Sequence, residues 1–300
     1  MNATSSPSYL RRWILAARPR TLPAAVSPVL VGWAVAFHSA PLRWDAALAL
    51  LGVALLLQVN ANLINDVVDF QQGTDTAERL GPLRVTQAGL LTPRQVWMGV
   101  VVVFALAGLL GVYLTFVSGW AVVIMGLSAF AGALAYSTGP FPLAKKGLGE
   151  LAVMLFFGFL AVCGTVFVLA GRVPALAWWG GLAVGALVTN VLVVNNLRDI
   201  DTDRKAGRRT LPVRWGYRAG ENEYLAMLAL AYLTPLALLA LGWVNLWGLL
   251  PLFSLFRALP LALKIHRVPQ GRAFNPLLAD TAQLALIYSL LLAAGIALGG

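Results

Sequence analysis

Long runs of apolar residues constrain this 300-residue chain more than any other feature of its sequence. Hydrophobic residues make up 59% of the chain and charged residues only 11%, whereas soluble domains carry about 25% charged residues. A soluble fold of this size cannot bury so much apolar surface, so the surrounding solvent must be lipid. The sequence therefore predicts an all-α integral membrane protein, and in the absence of a linker or repeat we expect residues 1–300 to form a single domain.

Nine of these runs are close to the length of a membrane-spanning helix, which needs about 20 apolar residues. They cover residues 21–38, 46–65, 95–116, 119–137, 150–170, 175–196, 223–242, 245–263 and 280–298. Pro23 and Pro28 lie in the first run, where neighbouring helices can satisfy the carbonyls that a proline frees. The pattern thus predicts nine transmembrane helices.

The basic residues fall almost entirely on one side of such a nine-helix arrangement. Twenty of the 22 Lys and Arg lie before the first run or in the segments 66–94, 138–149, 197–222 and 257–272, and only Arg43 and Arg172 lie on the other side. Because cytoplasmic loops carry the Lys/Arg excess, we expect a multi-pass plasma-membrane protein with a cytoplasmic N-terminus.

Two other possibilities are disfavoured by the sequence. The scattered basic residues argue against nucleic-acid binding, and the lone Cys163 excludes an intramolecular disulfide.

Half of the twelve acidic residues are concentrated in two short segments on the predicted cytoplasmic side. The segments contain Asp66, Asp69 and Asp75, and Asp199, Asp201 and Asp203. Helical spacing places Asn62, Asn65, Asp66 and Asp69 on one helix face, and Asn195, Asp199 and Asp203 on another. Ionisable side chains at membrane depth are costly and indicate a functional site, although acids at helix ends also occur as solvated caps.

The residue types in these stripes suit Mg²⁺. Carboxylate and amide oxygens are hard ligands, and Mg²⁺ takes few of them while bridging substrate phosphates. Zn²⁺ is disfavoured because His38 and His266 are isolated in the sequence. Basic residues flank the acids, namely Arg79, Arg84, Lys145, Lys146, Lys205, Arg208 and Arg209. Carboxylate-bound Mg²⁺ together with Arg and Lys is a combination that holds a diphosphate and stabilises it as a leaving group.

The two motifs resemble those of the UbiA family of intramembrane aromatic prenyltransferases. The first reads Asn65-Asp66-Val67-Val68-Asp69 followed by Asp75, and the second runs from Asp199 to Asp203 and continues to Thr210. The spacing of six between Asp69 and Asp75, where the family usually has four, resembles the branch that prenylates 1,4-dihydroxy-2-naphthoate. Segments 17–32, 65–93, 135–151 and 195–216 also resemble that branch.

The resemblance implies a UbiA-type bundle of nine helices around a cavity open to lipid, and a set of site residues. It implies that Mg²⁺ is held by Asn65, Asp66, Asp69, Asp75, Asp199 and Asp203, with Asp69, Asp199 and Lys205 catalytic. It further implies that the substrates contact Asn62, Arg79, Arg84, Tyr136, Lys145, Asn195, Asn196, Arg198, Lys205, Arg209 and Arg20. Tyr136, Phe156 and Phe157 are candidates to face an allylic cation, and Arg18 or Arg20 could hold an acceptor carboxylate.

The activity implied is transfer of a polyprenyl group from its diphosphate to the naphthoate, with loss of CO₂, in menaquinone synthesis. Another acceptor stays open as an alternative, such as 4-hydroxybenzoate, homogentisate, a porphyrin-type alcohol or a glycerol phosphate. A cation-coupled transporter is a further alternative, and a scaffold without chemistry is a third. The sequence leaves the prenyl chain length and the oligomeric state open.

Overall fold

The computed structural model describes residues 7–39, 41, 43–73, 80–137, 140 and 142–299, and every regular element in these ranges is helical. The α-helices are α1 Tyr9–Ala17, α2 Pro23–Phe37, α3 Trp44–Gln71, α4 Pro93–Ser118, α5 Ala121–Ser137, α6 Leu143–Lys146, α7 Gly149–Val153, α8 Ala161–Ala170, α9 Ala175–Arg198, α10 Ile200–Lys205, α11 Leu211–Trp215, α12 Tyr217–Ala240, α13 Leu255–Lys264 and α14 Phe274–Leu298. A π-helical segment, Met154–Leu160, makes α7 and α8 continuous, and 3₁₀ turns cover Pro19–Thr21, Leu246–Ser254 and Gly271–Ala273.

The described part of the chain contains seven helices that are long and apolar enough to cross a membrane. An eighth is reached if α2 is counted with the segment Tyr9–Thr21, which meets it at a bend of 54°. The run predicted at 119–137 forms α5, whose 17 residues would extend only about 25 Å at 1.5 Å per residue. The all-α membrane fold is confirmed, whereas the number nine stays a prediction.

Local sequence signals explain where the long helices begin and end. Helix α4 starts with a capping box, in which Thr92 and Gln95 satisfy each other's backbone N–H groups, and Pro93 occupies its first turn. It ends at Gly119, whose φ of 87° few other residues adopt. Pro23 likewise starts α2 just after the bend. These capping residues determine where the helices end and the polar loops begin.

Helix α9 forms the centre of the bundle and α4 its periphery. In the most apolar part of α9, 72% of the residues are buried, compared with 17% in α4. A close crossing brings the π-helical segment against α9, because a Cβ on Gly158 would lie 2.7 Å from the Gly181 carbonyl oxygen and 2.9 Å from Gly185 Cα. Small residues permit this backbone contact, as is common between membrane helices.

The basic segments gather at one end of the bundle. Helix α3, about 42 Å long at 1.5 Å per residue, begins beside Arg43 and ends beside Asp69. The continuous helix Gly149–Ala170 begins close to Lys145 and ends close to Arg172. The two isolated arginines therefore lie at the end of the bundle opposite the acidic motifs, as the sequence predicts. We refer to the end that carries the motifs as the polar end.

Candidate active site

A polar cavity of about 190 Å³ lies at the polar end. Its lining comes from the bend before α2, from α3 and the loop that follows it, from α5 to α7, from α9 and α10, and from the turn after α10. The charged lining residues are Arg18, Asp69, Arg84, Lys145, Glu150, Arg198, Asp199, Asp203 and Arg208. Five of these are basic and four acidic, so the cavity offers both cation ligands and a positively charged environment for an anion.

Asp69, near the end of α3, contacts two arginines. Its carboxylate accepts a hydrogen bond from Arg84 Nη2 at 2.5 Å and lies 3.6 Å from Arg208 Nη2. Arg208 also lies 3.3 Å from Asp203 and thus links the first acidic motif to the second. The two motifs, separated by about 130 residues in the sequence, therefore meet around one guanidinium.

Asp199 forms a bidentate ion pair with its neighbour Arg198, at 2.8 and 2.6 Å. Arg198 is almost fully buried and also donates to the side chain of Asn275 at 3.0 Å, which in turn donates to the Leu80 carbonyl. The helix end that carries Asp199 is thereby fixed between α14 and the loop after α3. The structure brings Asp69, Asp199 and Asp203 together in the lining of one cavity.

Burial raises the pKa of Asp203 to about 6, and the nearby carboxylate of Asp199 adds to this effect. Arg208 opposes the shift because its positive charge favours the ionised form of Asp203. Part of the Asp203 population is thus protonated at neutral or slightly acidic pH, and a bound cation would be expected to ionise it.

Asp66 occupies a different place from the one that the sequence predicts. Its side chain is 1% exposed, and its oxygens accept hydrogen bonds from the backbone N–H groups of Val85 and Thr86 at 3.1 and 3.0 Å. Arg18 completes this environment at 3.5 Å. Asp66 therefore anchors the 80–91 loop, which carries Arg84 into the cavity, and its side chain is not part of the cavity lining.

Several predicted substrate-binding residues lie at the cavity, and others do not. Those that line it are Arg84, Tyr136, Lys145, Asn195, Asn196 and Arg198, together with the predicted metal ligand Asn65. Lys205, Arg209 and Arg20 are exposed residues outside the lining, and Asp75 and Arg79 lie outside the described residues. Asn62 lies deeper along α3 and donates to the Ala17 carbonyl and to Thr21.

Arg208 lies in the place that the sequence predicts for Lys205 and Arg209. Gly207, with a φ of +69°, reverses the chain after α10, and Arg208 N–H then bonds to the Asp203 carbonyl. The N–H of Arg209 bonds to the Lys145 carbonyl, so this side of the turn docks on α6. The sequence feature that could have identified Arg208 is Gly207, because a glycine after a helix predicts a reversal of the chain within this basic segment.

Arg18 and Glu150 also line the cavity. The sequence offers Arg18 only as an alternative to Arg20 for an acceptor carboxylate, and it predicts no role for Glu150. Arg18 adopts a left-handed backbone with φ 51° at the end of α1, which turns the chain towards α2. Arg18 therefore replaces Arg20 as the arginine of this segment at the site. Glu150 could have been identified from the sequence as the single acid at the start of a predicted membrane span.

An apolar chamber of about 500 Å³ adjoins the polar cavity, and both are lined by Asn65 and Tyr136. Phe156 and Phe157 on the π-helical segment line the apolar chamber, as does Phe104 on α4. A polar cavity joined to an apolar chamber suits a single amphiphile, with its charged head in the first and its tail in the second.

The donor set fits Mg²⁺ shared with a phosphate better than a metal held by protein alone. Among the described residues, no three His, Cys, Asp or Glu side chains come together closely enough to hold a metal ion. The polar cavity nevertheless contains the carboxylates of Asp69, Asp199 and Asp203 and the amides of Asn65 and Asn195. Mg²⁺ typically uses one or two carboxylates plus substrate phosphates, which matches this arrangement.

The fold is that of a helical membrane protein, and its two joined cavities suit an amphiphilic anion. The chain belongs to the UbiA prenyltransferase family, which matches residues 25–297. The predicted resemblance of the chain to that family is thereby confirmed.

Two full-length relatives carry the same name. The chain is 40% identical over 294 residues to the 1,4-dihydroxy-2-naphthoate octaprenyltransferase of Mycobacterium tuberculosis, covering 96% of this chain and 97% of that protein. It is 36% identical over 299 residues to the 1,4-dihydroxy-2-naphthoate octaprenyltransferase of Escherichia coli, with 96% of both chains covered.

Solved structures confirm the fold. A UbiA homologue from Archaeoglobus fulgidus, bound to DMAPP and Mg²⁺, superposes with a TM-score of 0.66 and covers 94% of this chain and 99% of its own. Its sequence is 15% identical to this chain. At that identity the likeness concerns the fold alone.

Proposed function

We propose that this protein transfers a polyprenyl group from polyprenyl diphosphate to 1,4-dihydroxy-2-naphthoate, releasing CO₂ and diphosphate and giving demethylmenaquinol in menaquinone synthesis. The observation that carries the proposal is the polar cavity joined to the apolar chamber at Asn65 and Tyr136. The names of the M. tuberculosis and E. coli relatives support the naphthoate as acceptor.

The diphosphate occupies the polar cavity together with Mg²⁺ in this proposal. Asp69, Asp199 and Asp203 would hold the cation, with help from Asn65 and Asn195, and Mg²⁺ would neutralise charge on the phosphate oxygens. Asp66 is left out of this ligand set because its oxygens are engaged by the 80–91 loop. The A. fulgidus homologue, which is described as bound to DMAPP and Mg²⁺, is consistent with a divalent cation.

Arginines that lie beside these carboxylates supply the positive charge that the leaving diphosphate needs. Arg84 and Arg208 flank Asp69, and Arg198 flanks Asp199. Lys145 reaches the cavity from α6 and donates to Gln72 Oε1 at 2.8 Å. Because these donors are already in place, they stabilise the charge that develops as the C–O bond breaks without a large reorganisation.

The allylic carbon lies at the boundary between the two cavities. There the ring of Tyr136 can face the positive charge that forms on that carbon, and Phe156 and Phe157 continue the aromatic wall into the apolar chamber. A cation over a desolvated aromatic face gains roughly 2 kcal/mol. A chamber of about 500 Å³ has the size of a drug-sized ligand site, so a long polyprenyl tail continues from it into the lipid.

The acceptor carboxylate faces Arg18 in this scheme. Arg18 lines the polar cavity and is held beside Asp66, whereas Arg20 is exposed and outside the lining. The ring carbon that bears the carboxylate bonds to the allylic carbon, and the carboxylate then leaves as CO₂.

The asymmetric distribution of Lys and Arg supports an orientation in the plasma membrane with the polar end facing the cytoplasm.

The test is product formation by the purified protein in lipid with a polyprenyl diphosphate and Mg²⁺. The naphthoate should give a prenylated, decarboxylated product by mass spectrometry, and 4-hydroxybenzoate and homogentisate should give at least 100-fold less. Chelation with EDTA should abolish the product, and added Mg²⁺ should restore it. Preferred use of another acceptor would overturn the naphthoate assignment, and undiminished product in EDTA would overturn the metal dependence.

A further inference from the structure

Glu150 differs from every other acid that lines the polar cavity. Asp69, Asp199 and Asp203 each lie within 3.6 Å of an arginine. Glu150 makes no ion pair with any described residue, and its one side-chain hydrogen bond there is to Oε1, from Asn196 Nδ2 at 2.6 Å. Its second oxygen is therefore not committed to a cation.

Glu150 also lies where the reacting atoms must meet. Helix α7 begins with Gly149 and Glu150 in the lining of the polar cavity, and it continues with Ala152 and Val153 in the lining of the apolar chamber. The hydroxyl of Tyr136, which lines both, would lie 3.5 Å from a Cβ on Gly149. A substrate with its diphosphate in one cavity and its tail in the other places the scissile C–O bond at this boundary.

We propose that Glu150, held by Asn196, is the group that accepts the hydroxyl proton of the aromatic acceptor. The inference rests on the proposed prenyl transfer and adds a residue to it. Carboxylates paired with arginine are suited to hold charge, whereas a carboxylate without a cationic partner in a partly buried site is suited to exchange a proton. Asn196, expected from the sequence to bind substrate, instead orients this carboxylate.

All bonds and protons of the proposed step are accounted for. The C–O bond of the prenyl diphosphate breaks, and its electron pair leaves with the diphosphate. The ring carbon bearing the carboxylate forms the new C–C bond, while the proton of the adjacent ring hydroxyl passes to Glu150 and that ring oxygen becomes a ketone. The C–CO₂ bond then breaks with its electron pair returning to the ring, and Glu150 returns the proton to the oxygen.

The experiment compares Glu150→Gln and Glu150→Asp with the wild type and with the control Asp201→Asn. Asp201 is an exposed acid on α10 that is not part of the cavity lining. The readouts are kcat for product formation and the Mg²⁺-dependent binding of a labelled prenyl diphosphate. Because glutamine can still accept the hydrogen bond from Asn196, Glu150→Gln removes the basic oxygen with little change in shape.

We expect Glu150→Gln to lower kcat by roughly 10²–10⁴-fold, Glu150→Asp to lie between it and the wild type, and both to bind the prenyl diphosphate within about threefold of the wild type. Turnover of Glu150→Gln equal to or above that of Glu150→Asp would overturn the role of the carboxylate. A parallel loss of prenyl diphosphate binding would do so as well, since it would assign Glu150 to the diphosphate. An inactive wild type would instead contradict the proposed function itself.

Discussion

Arg208 is the side chain that joins the two acidic motifs, because it contacts Asp69 and Asp203 from a single guanidinium. The sequence favours its neighbours Lys205 and Arg209, which flank the same acids but are exposed in the structure. Their orientation depends on the left-handed turn at Gly207 and on the docking of Arg209 N–H on Lys145. Such a tertiary contact cannot be deduced from the spacing of charges.

Arg208 and Lys205 should contribute very differently to catalysis. We expect Arg208→Gln to lower kcat/KM for the prenyl diphosphate by about 10²-fold, the typical cost of removing one donor that stabilises a leaving anion. Lys205→Gln should stay within about threefold of the wild type because that side chain is not part of the cavity lining. Steady-state kinetics in the same lipid would measure both, and an equal loss in the two variants would contradict the assignment.

The affinity for Mg²⁺ should depend on pH, because burial raises the pKa of Asp203 to about 6. A protonated carboxyl is a poor Mg²⁺ ligand, so the affinity for Mg²⁺ should increase as the pH rises through that value. Between pH 5 and pH 7 the ionised fraction rises from about one tenth to about nine tenths, and the apparent affinity should rise about tenfold. Mg²⁺ titrations at several pH values would measure this change. Asp203→Asn should bind Mg²⁺ more weakly and lose the pH dependence, whereas Asp201→Asn should retain it.

At the scale of elements, the crossing of the π-helical segment with α9 fixes one wall of both cavities. Gly158 faces Gly181 and Gly185, and a Cβ there would meet backbone atoms, which cannot move as a flexible side chain can. The same helix presents Glu150, Phe156 and Phe157 to the two cavities. A shift at this crossing would therefore alter the site as well as the packing.

Gly158→Ala should destabilise the protein, with a cost of about 1–3 kcal/mol that is typical of overpacking. The matched control is Gly126→Ala on α5, because a Cβ on Gly126 meets no atom within 4 Å. We expect the midpoint of thermal unfolding in detergent to fall for Gly158→Ala and to stay level or rise for Gly126→Ala. Equal midpoints for the two variants would show that the crossing tolerates a side chain.

The long helices were predictable because an apolar run in lipid leaves the backbone little choice but to form a helix. Helix α3, predicted at 46–65, extends to Gln71 and carries the Asn and Asp stripe past the apolar run. Sequence periodicity missed α1 and the short helices α6, α10 and α11, since none of them is an apolar run of spanning length. It also placed Asp66 in the metal site, because spacing reveals a shared helix face but not which neighbour that face contacts.

At the scale of the whole molecule, the basic residues and the chemistry share one end of the bundle. Arg43 and Arg172 lie at the opposite end, and the polar cavity collects residues from several of the basic segments. Because the positive-inside rule applies to these segments, we predict that the polar end faces the cytoplasm.

Single cysteines introduced into a Cys163→Ala background would test this orientation. A membrane-impermeant thiol reagent applied to intact cells should label Arg172→Cys and leave Arg214→Cys unlabelled until the membrane is permeabilised. Both positions are exposed in the structure, so their accessibility differs only through the membrane. Labelling of Arg214→Cys in intact cells would contradict the predicted orientation.

The proposed reaction depends on the three cavity carboxylates acting together with a divalent cation on a prenyl diphosphate. The most direct measurement is prenylated naphthoate formed in proteoliposomes by the wild type, Asp69→Asn, Asp199→Asn and the exposed control Asp201→Asn, each over a range of Mg²⁺ concentrations. We predict that the wild type and Asp201→Asn form product with the same Mg²⁺ dependence, and that Asp69→Asn and Asp199→Asn lose at least 100-fold in rate. Full activity of Asp69→Asn and Asp199→Asn, or product formation independent of Mg²⁺, would contradict it.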